Sequence, residues 1–72
     1  MKKVILNIDR LLFERKLKQS ELSELAGIRQ ASVSEMRNHK REKISLAHLT
    51  RIVNALDIDD INEVITIVEE AD

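Results

Sequence analysis

The sequence predicts an all-α fold, a bundle of four to five short helices, with room for a small two-stranded ribbon built from the two termini. Two observations lead to this prediction. Apolar residues recur at spacings of three and four along most of the 72-residue chain, as on the buried face of a helix. Two short β-favouring runs lie near the ends of the chain. The length suits one compact domain, so residues 1–72 are assigned to a single domain.

Each predicted helix has its own boundary signals. The first covers about residues 8–16, with Asn7 as its N-cap. The second covers about residues 19–26 and ends at Gly27, because glycine adopts the left-handed conformation without steric cost. The third covers about residues 30–38. The fourth follows Ser45 as N-cap. The apolar stripes of the second and fourth helices are Leu22, Leu25 and Ala26, and Leu46, Leu49, Ile52, Val53 and Leu56.

The two ends of the chain allow two interpretations. Residues 4–6 favour a strand, and residues 65–68 are β-branched throughout, so we expect a short helix after residue 60 and then an antiparallel ribbon that joins the termini. The alternative is one amphipathic helix over residues 61–68, packed on the bundle. An exposed apolar strand edge is a template for a second copy, so the ribbon predicts a twofold homodimer.

Charge is distributed unevenly along the chain. The formal net charge is −1, but residues 27–51 sum to +4 and residues 52–72 to −7, so the middle of the chain can present a basic face to nucleic acid. Phe13 is the single aromatic residue, which disfavours single-stranded partners, whose bases stack on aromatic side chains.

Composition also excludes several classes of protein. The chain has no cysteine and its two histidines lack ligand spacing, so no metal or cofactor is expected. No catalytic residues are assigned, because serine, histidine and aspartate are not placed as a triad. No apolar run approaches the length of a membrane span. We therefore expect a cytoplasmic protein that is not an enzyme, contacts no membrane and takes no small-molecule substrate.

Residues 19–36 are the most informative stretch, predicted as helix, tight turn at Gly27, and helix. Ser23 lies one turn before Gly27, and its small side chain allows the two helices to approach closely. With the apolar residues turned inward, the outer surface of the third helix carries short or polar residues, which suit a helix lying in the DNA major groove. They are Gln30, Ala31, Ser32, Ser34 and Glu35.

In this pattern the chain resembles the helix-turn-helix family of phage-repressor type, also called the Cro/C1 family. The resemblance covers roughly residues 7–56. It is carried by Gln19, Leu22, Ser23, Ala26, Gly27, Ile28, Val33, Ser34 and Met36, by Asn38 and Lys40 after the third helix, and by Ser45, Leu49, Ala55 and Leu56. It implies a DNA-binding bundle whose third helix reads bases.

The resemblance implies a role for each polar position. Gln19 would anchor a phosphate from the N-terminus of the second helix, and Gln30 would read adenine through two hydrogen bonds. Glu35 would either repel phosphate or accept a hydrogen bond from a cytosine amine. The residues that would face the groove are Arg29, Gln30, Ala31, Ser32, Ser34 and Glu35. The residues that would hold the DNA backbone are Arg37, Lys40, Arg41 and Lys43. Asn38 completes the predicted DNA-binding residues.

The chain departs from the family pattern at three positions. Lys18 stands where family members often cap the second helix with serine or threonine, and Arg29 where they often cap the third with serine. His39 replaces the usual glycine after Asn38. A missing cap typically costs about 1 kcal/mol. The departures therefore concern helix boundaries and leave the predicted bundle unchanged.

The sequence thus predicts a transcriptional regulator, a repressor that binds double-stranded DNA sequence-specifically as a homodimer. The alternative is a protein-interaction module on the same fold, such as an antirepressor or an antitoxin-like partner, with little DNA binding. The acidic tail, residues 52–72, favours this alternative.

Overall fold

Within residues 1–39 and 43–71, which the computed structural model describes, four α-helices form the body of the molecule. They are α1 (Ile8–Arg15), α2 (Gln19–Ala26), α3 (Gln30–Arg37) and α4 (Leu46–Ala55). The chain ends form two strands, β1 (Lys2–Leu6) and β2 (Ile65–Glu69), with a 3₁₀ turn at Ile61–Glu63 before β2. The predicted helical bundle with a terminal ribbon is confirmed.

The β-ribbon joins the two ends of the chain. β1 and β2 are antiparallel, with Val4 opposite Ile67 at the centre and Leu6 opposite Ile65 next to the bundle. The prediction of a short helix followed by a strand is confirmed, and the alternative of one helix over residues 61–68 is wrong. Strand pairing gives this β-branched run a backbone partner, while Val64, just before it, is fully buried in the core.

Left-handed residues end two of the helices one position earlier than predicted. α1 ends at Arg15 because Lys16 has φ 54°, and the Lys16 N–H donates to the carbonyls of Leu12 and Phe13. α3 ends at Arg37, and His39 adopts φ 55°, whereas Asn38 keeps a negative φ. The residue that replaces the usual glycine therefore has the left-handed backbone.

The N-caps differ from the predicted ones in detail. Asn7 precedes α1 but does not cap it with its side chain, which is directed toward β2, where its Nδ2 donates to Thr66 Oγ1. At α2, where Lys18 cannot act as a side-chain acceptor, the Glu21 carboxylate accepts a hydrogen bond of 2.9 Å from the Lys18 N–H. Ser45 caps α4 as predicted, accepting from the His48 N–H at 3.2 Å.

The core lies between the four helices and the base of the ribbon. Its fully buried side chains come from α1, α2, α3, α4 and the residue before β2, and they are Ile8, Leu11, Leu22, Val33, Ile52 and Val64. Leu25 and Leu46 are corrections to the predicted stripes, since both are exposed, Leu25 by 57%. Leu22 and Ala26 point into the core four residues apart, whereas Leu25 is rotated about 100° from Ala26 and about 60° from Leu22, on the side away from the core.

The helices of the described residues are too short or too polar to cross a bilayer.

Candidate nucleic-acid interface

The turn between α2 and α3 is held from three directions. Gly27 has φ 68° and ψ 36°, and its N–H donates to the Glu24 carbonyl at 3.3 Å. The Ser23 hydroxyl donates to the Ile28 carbonyl, and the Ile28 side chain is buried. From α4, Arg51 Nη1 donates to the Gly27 carbonyl at 2.8 Å. The angle between α2 and α3 is therefore set by hydrogen bonds as well as by packing.

The outer surface of α3 carries the predicted groove-facing residues at different exposures. Arg29, Gln30 and Ala31 are exposed, whereas Ser32 and Ser34 are half-buried. The Ser34 hydroxyl also accepts a hydrogen bond of 3.3 Å from the Asn38 side chain, so Asn38 lies over the last turn of the helix. The first turn of α3 is accordingly its most accessible part.

One side of α3 lines a cavity of about 500 Å³ shared with β1 and the start of α4. Ser32, Glu35 and Met36 of α3 line this cavity, together with His39 and Lys43 from the segment after the helix. Glu35 is half-buried here, and one of its carboxylate oxygens is shielded from solvent. Glu35 therefore lies between the outer surface of α3 and this cavity, and presents only part of its side chain to a groove.

Gln19, at the start of α2, is at the centre of a polar network. Its side-chain Nε2 donates to the Gln30 carbonyl at 3.3 Å, and its Oε1 accepts from Arg37 Nη1 at 3.4 Å. Arg37 in turn forms an ion pair with Asp9 on α1 through its Nε. Two residues predicted to contact the DNA backbone separately, Gln19 and Arg37, thus contact each other.

The remaining predicted phosphate contacts lie after α3. Lys43 is exposed, whereas Lys40 and Arg41 lie outside the described residues. Where the structure describes the acidic tail, its ion pairs join Glu63 to Arg15, Glu69 to the N-terminal amine of Met1 and Glu70 to Lys3. These partners belong to the N-terminal part of the chain, so the glutamates of the tail are paired with cationic groups that were not predicted to bind DNA.

Sequence reasoning missed two residues of this region. Asp9 carries the ion pair that restrains Arg37, and Arg51 holds the Gly27 carbonyl. Asp9 had one local signal, an acidic residue in the first turn of a helix. Neither partner is detectable from spacing, because 28 residues separate Asp9 from Arg37 and 24 separate Gly27 from Arg51.

Comparison with known proteins agrees with this geometry. The family model for Cro/C1-type HTH DNA-binding domains matches residues 7–70. A protein of Bacillus subtilis (strain 168), named as an uncharacterized HTH-type transcriptional regulator YozG, is 43% identical over 54 residues. The alignment covers 75% of this chain and 64% of that relative, so the chain matches less than two thirds of the relative's length. No solved structure gave a significant match.

Proposed function

The chain belongs to the family of Cro/C1-type helix-turn-helix DNA-binding domains, and from this membership we propose that it is a transcriptional regulator that binds double-stranded DNA sequence-specifically. Residues 1–72 act as one DNA-binding domain in this proposal. The observation that carries it is the α2–Gly27–α3 unit, whose turn is held by hydrogen bonds from α2 and α4. A rigid unit of this kind can insert one helix into the major groove in a defined orientation.

The first turn of α3 is the proposed reading surface. Gln30 and Ala31 are both exposed, so Gln30 can reach adenine through two hydrogen bonds and Ala31 can contact a thymine methyl group. Arg29 precedes the helix and can reach a guanine or a phosphate. Ser32, Ser34 and Glu35 contribute less in this proposal, because they are half-buried.

Phosphate contacts surround this surface. Gln19 lies at the N-terminus of α2, where backbone N–H groups and the helix dipole favour an anion. Lys43 is exposed beyond α3, and Asn38 covers the last turn of α3. Together with Lys40 and Arg41, these residues would position the domain on the duplex without selecting a base.

Binding as a homodimer is the second part of the proposal. Val4 and Ile67 face each other across the ribbon and are 61% and 66% exposed, so the ribbon presents an apolar pair to solvent. A second copy that packs on this face of the ribbon would bury both side chains and relate two α3 helices by a twofold axis. Half-sites would then lie about 34 Å apart, or a multiple of that distance, on a palindromic site.

The ribbon can be tested without removing it. Ile67→Lys replaces an apolar side chain that is already exposed by a charged one, so the monomer should fold as before. We expect the mass in sedimentation equilibrium to fall from dimer to monomer, with weaker binding to a palindromic site. A wild-type chain that is monomeric when bound to that site would contradict the dimer.

Repression is the proposed direction of regulation, because a domain that occupies the major groove within a promoter excludes other proteins from that site.

Selection of bound duplexes from a random pool should first yield a consensus site. Titration at two salt concentrations should then show saturable binding that weakens steeply with salt. That site, inserted within a reporter promoter, should lower transcription when the protein is expressed. Raised transcription would contradict repression, and the absence of saturable binding would favour the protein-interaction module.

A further inference from the structure

A chain of three polar contacts joins α1, α2 and α3 beside the proposed reading surface. Asp9 on α1 accepts from Arg37 Nε, Arg37 Nη1 donates to Gln19 Oε1 at 3.4 Å, and Gln19 Nε2 donates to the Gln30 carbonyl at 3.3 Å. Each contact crosses from one helix to another. The last of these contacts is to the backbone carbonyl of Gln30, the first residue of α3 and the proposed base-reading residue.

The two contacts of Gln19 determine how its side chain is presented. A free glutamine side chain samples many rotamers and loses that freedom when it binds. Here the amide oxygen meets a guanidinium donor and the amide nitrogen meets a carbonyl, so both ends of the amide group have a preferred direction. Restricting a binding side chain before its ligand arrives raises affinity, since less entropy is lost on binding.

Arg37 has a different role in this arrangement from a phosphate contact. Its Nε is engaged by the Asp9 carboxylate, which offsets the guanidinium charge, and its Nη1 reaches Gln19. We propose that Asp9 and Arg37 are positioning residues for Gln19, an inference that rests on the proposed DNA-binding function. Asp9 orients Arg37, Arg37 orients Gln19, and only Gln19 of the three contacts a DNA phosphate.

The test compares two neutral replacements of Asp9. Asp9→Ala removes the acceptor for Arg37, whereas Asp9→Asn removes the same charge but keeps a side-chain oxygen that can accept. Positioning by hydrogen bonding requires Asp9→Ala to bind a selected duplex about three- to tenfold more weakly than Asp9→Asn. Equal affinities for the two variants would overturn the inference, because only the charge at position 9 would then matter.

Glu14→Ala is the matched control. Glu14 is also an exposed carboxylate on α1, and it pairs with Arg10 at 2.8 Å. The pKa of the Arg10 guanidinium is raised mainly by that hydrogen bond and to a smaller extent by the charge of Glu14. Removing Glu14 changes net charge and breaks an ion pair, as Asp9→Ala does, but Glu14 takes part in neither hydrogen bond of the Gln19 side chain. We expect Glu14→Ala to bind DNA at least as tightly as the wild type.

Salt dependence separates positioning from a restrained phosphate contact. Gln19 is uncharged, so loss of its orientation should leave the slope of log K against log salt unchanged in Asp9→Ala. If Asp9 instead holds Arg37 away from a phosphate, Asp9→Ala should bind more tightly and steepen the slope by about 0.9. That result would overturn the positioning role. In a Gln19→Ala background, the difference between Asp9→Ala and Asp9→Asn should vanish.

One readout does not require DNA. In the free protein, the side-chain amide resonances of Gln19 should move toward random-coil values in Asp9→Ala and stay near the wild-type values in Asp9→Asn. Resonances that do not respond to Asp9→Ala would overturn the inference. If they respond and the wild type binds no duplex, the proposed function fails while the coupling of Asp9 to Gln19 stands.

Discussion

Replacing Gly27 by valine should destabilise the fold by more than 1 kcal/mol, and the structure shows where this cost arises. Gly27 has φ 68° and ψ 36°, in the left-handed region, where a residue with a Cβ atom is disfavoured by roughly 1–2 kcal/mol. β-Branching raises that cost further. With this contribution the strain for valine lies near the upper end of the roughly 1–3 kcal/mol typical of residues held in such regions. Replacing a glycine also stabilises by about 0.4–1 kcal/mol, because the unfolded chain loses entropy. The strain term is the larger of the two, so the net effect is destabilising.

Steric overlap adds little to this estimate. A Cβ atom at position 27 would lie 3.4 Å from Arg51 Nη1, which is an ordinary van der Waals distance to a flexible side chain. Gly27→Asn should therefore cost less than Gly27→Val, because asparagine tolerates the left-handed region better.

Thermal and urea unfolding followed by circular dichroism measures both variants. In a domain of this size, 1 kcal/mol corresponds to roughly 4–8 °C in Tm. Unchanged melting of Gly27→Val would show that the turn is not left-handed at this position, and would refute the account of the helix-turn-helix geometry. Equal losses for asparagine and valine would show that backbone strain is not the cause.

Three further predictions concern α3 and the residues after it. His39→Gly should stabilise the fold by up to about 1 kcal/mol in urea unfolding, because His39 has φ 55°; a lower stability would contradict strain there. Gln30→Ala should cost roughly 1–3 kcal/mol on the selected site and relax preference at one base pair in binding titrations, whereas equal losses on random DNA would make Gln30 a positioning residue. Neutralising Lys40, Arg41 and Lys43 together should weaken binding to all duplexes and flatten the salt slope by up to about 0.9 per lost phosphate contact. An unchanged slope would assign them to ordinary solvated surface.

Several differences between prediction and structure have the same origin. Asn7 was predicted to cap α1, but its side chain is directed toward β2, where its Nδ2 donates to Thr66 Oγ1. Leu25 was predicted in the apolar stripe of α2, but Leu22 and Ala26 occupy the side that faces the core. In each case a local preference was compatible with two outcomes, and a neighbour distant in sequence selected one of them.

Sequence signals were sufficient to predict the features that depend only on residues close together in the sequence. The end of α2 could be predicted at Gly27 because a left-handed residue is needed there and glycine adopts that conformation without strain. The position of Ser23 one turn earlier also predicted close helix contact, and its hydrogen bond to the Ile28 carbonyl spans only five residues. The exposed first turn of α3 follows from the same periodicity, since Val33 and Met36 occupy the buried side.

By itself, therefore, the sequence determined the four helices, the turn at Gly27 and the two runs that favour strands, because each depends on backbone preferences and on residues within a few positions. Only the tertiary structure decided which side chains meet across the bundle. The pairing of Val4 with Ile67, the ion pair of Asp9 with Arg37 and the bond from Arg51 to the Gly27 carbonyl join residues 24 or more positions apart. Such contacts depend on how the helices pack, and the spacing of residues along the sequence does not show which distant side chains this packing brings together.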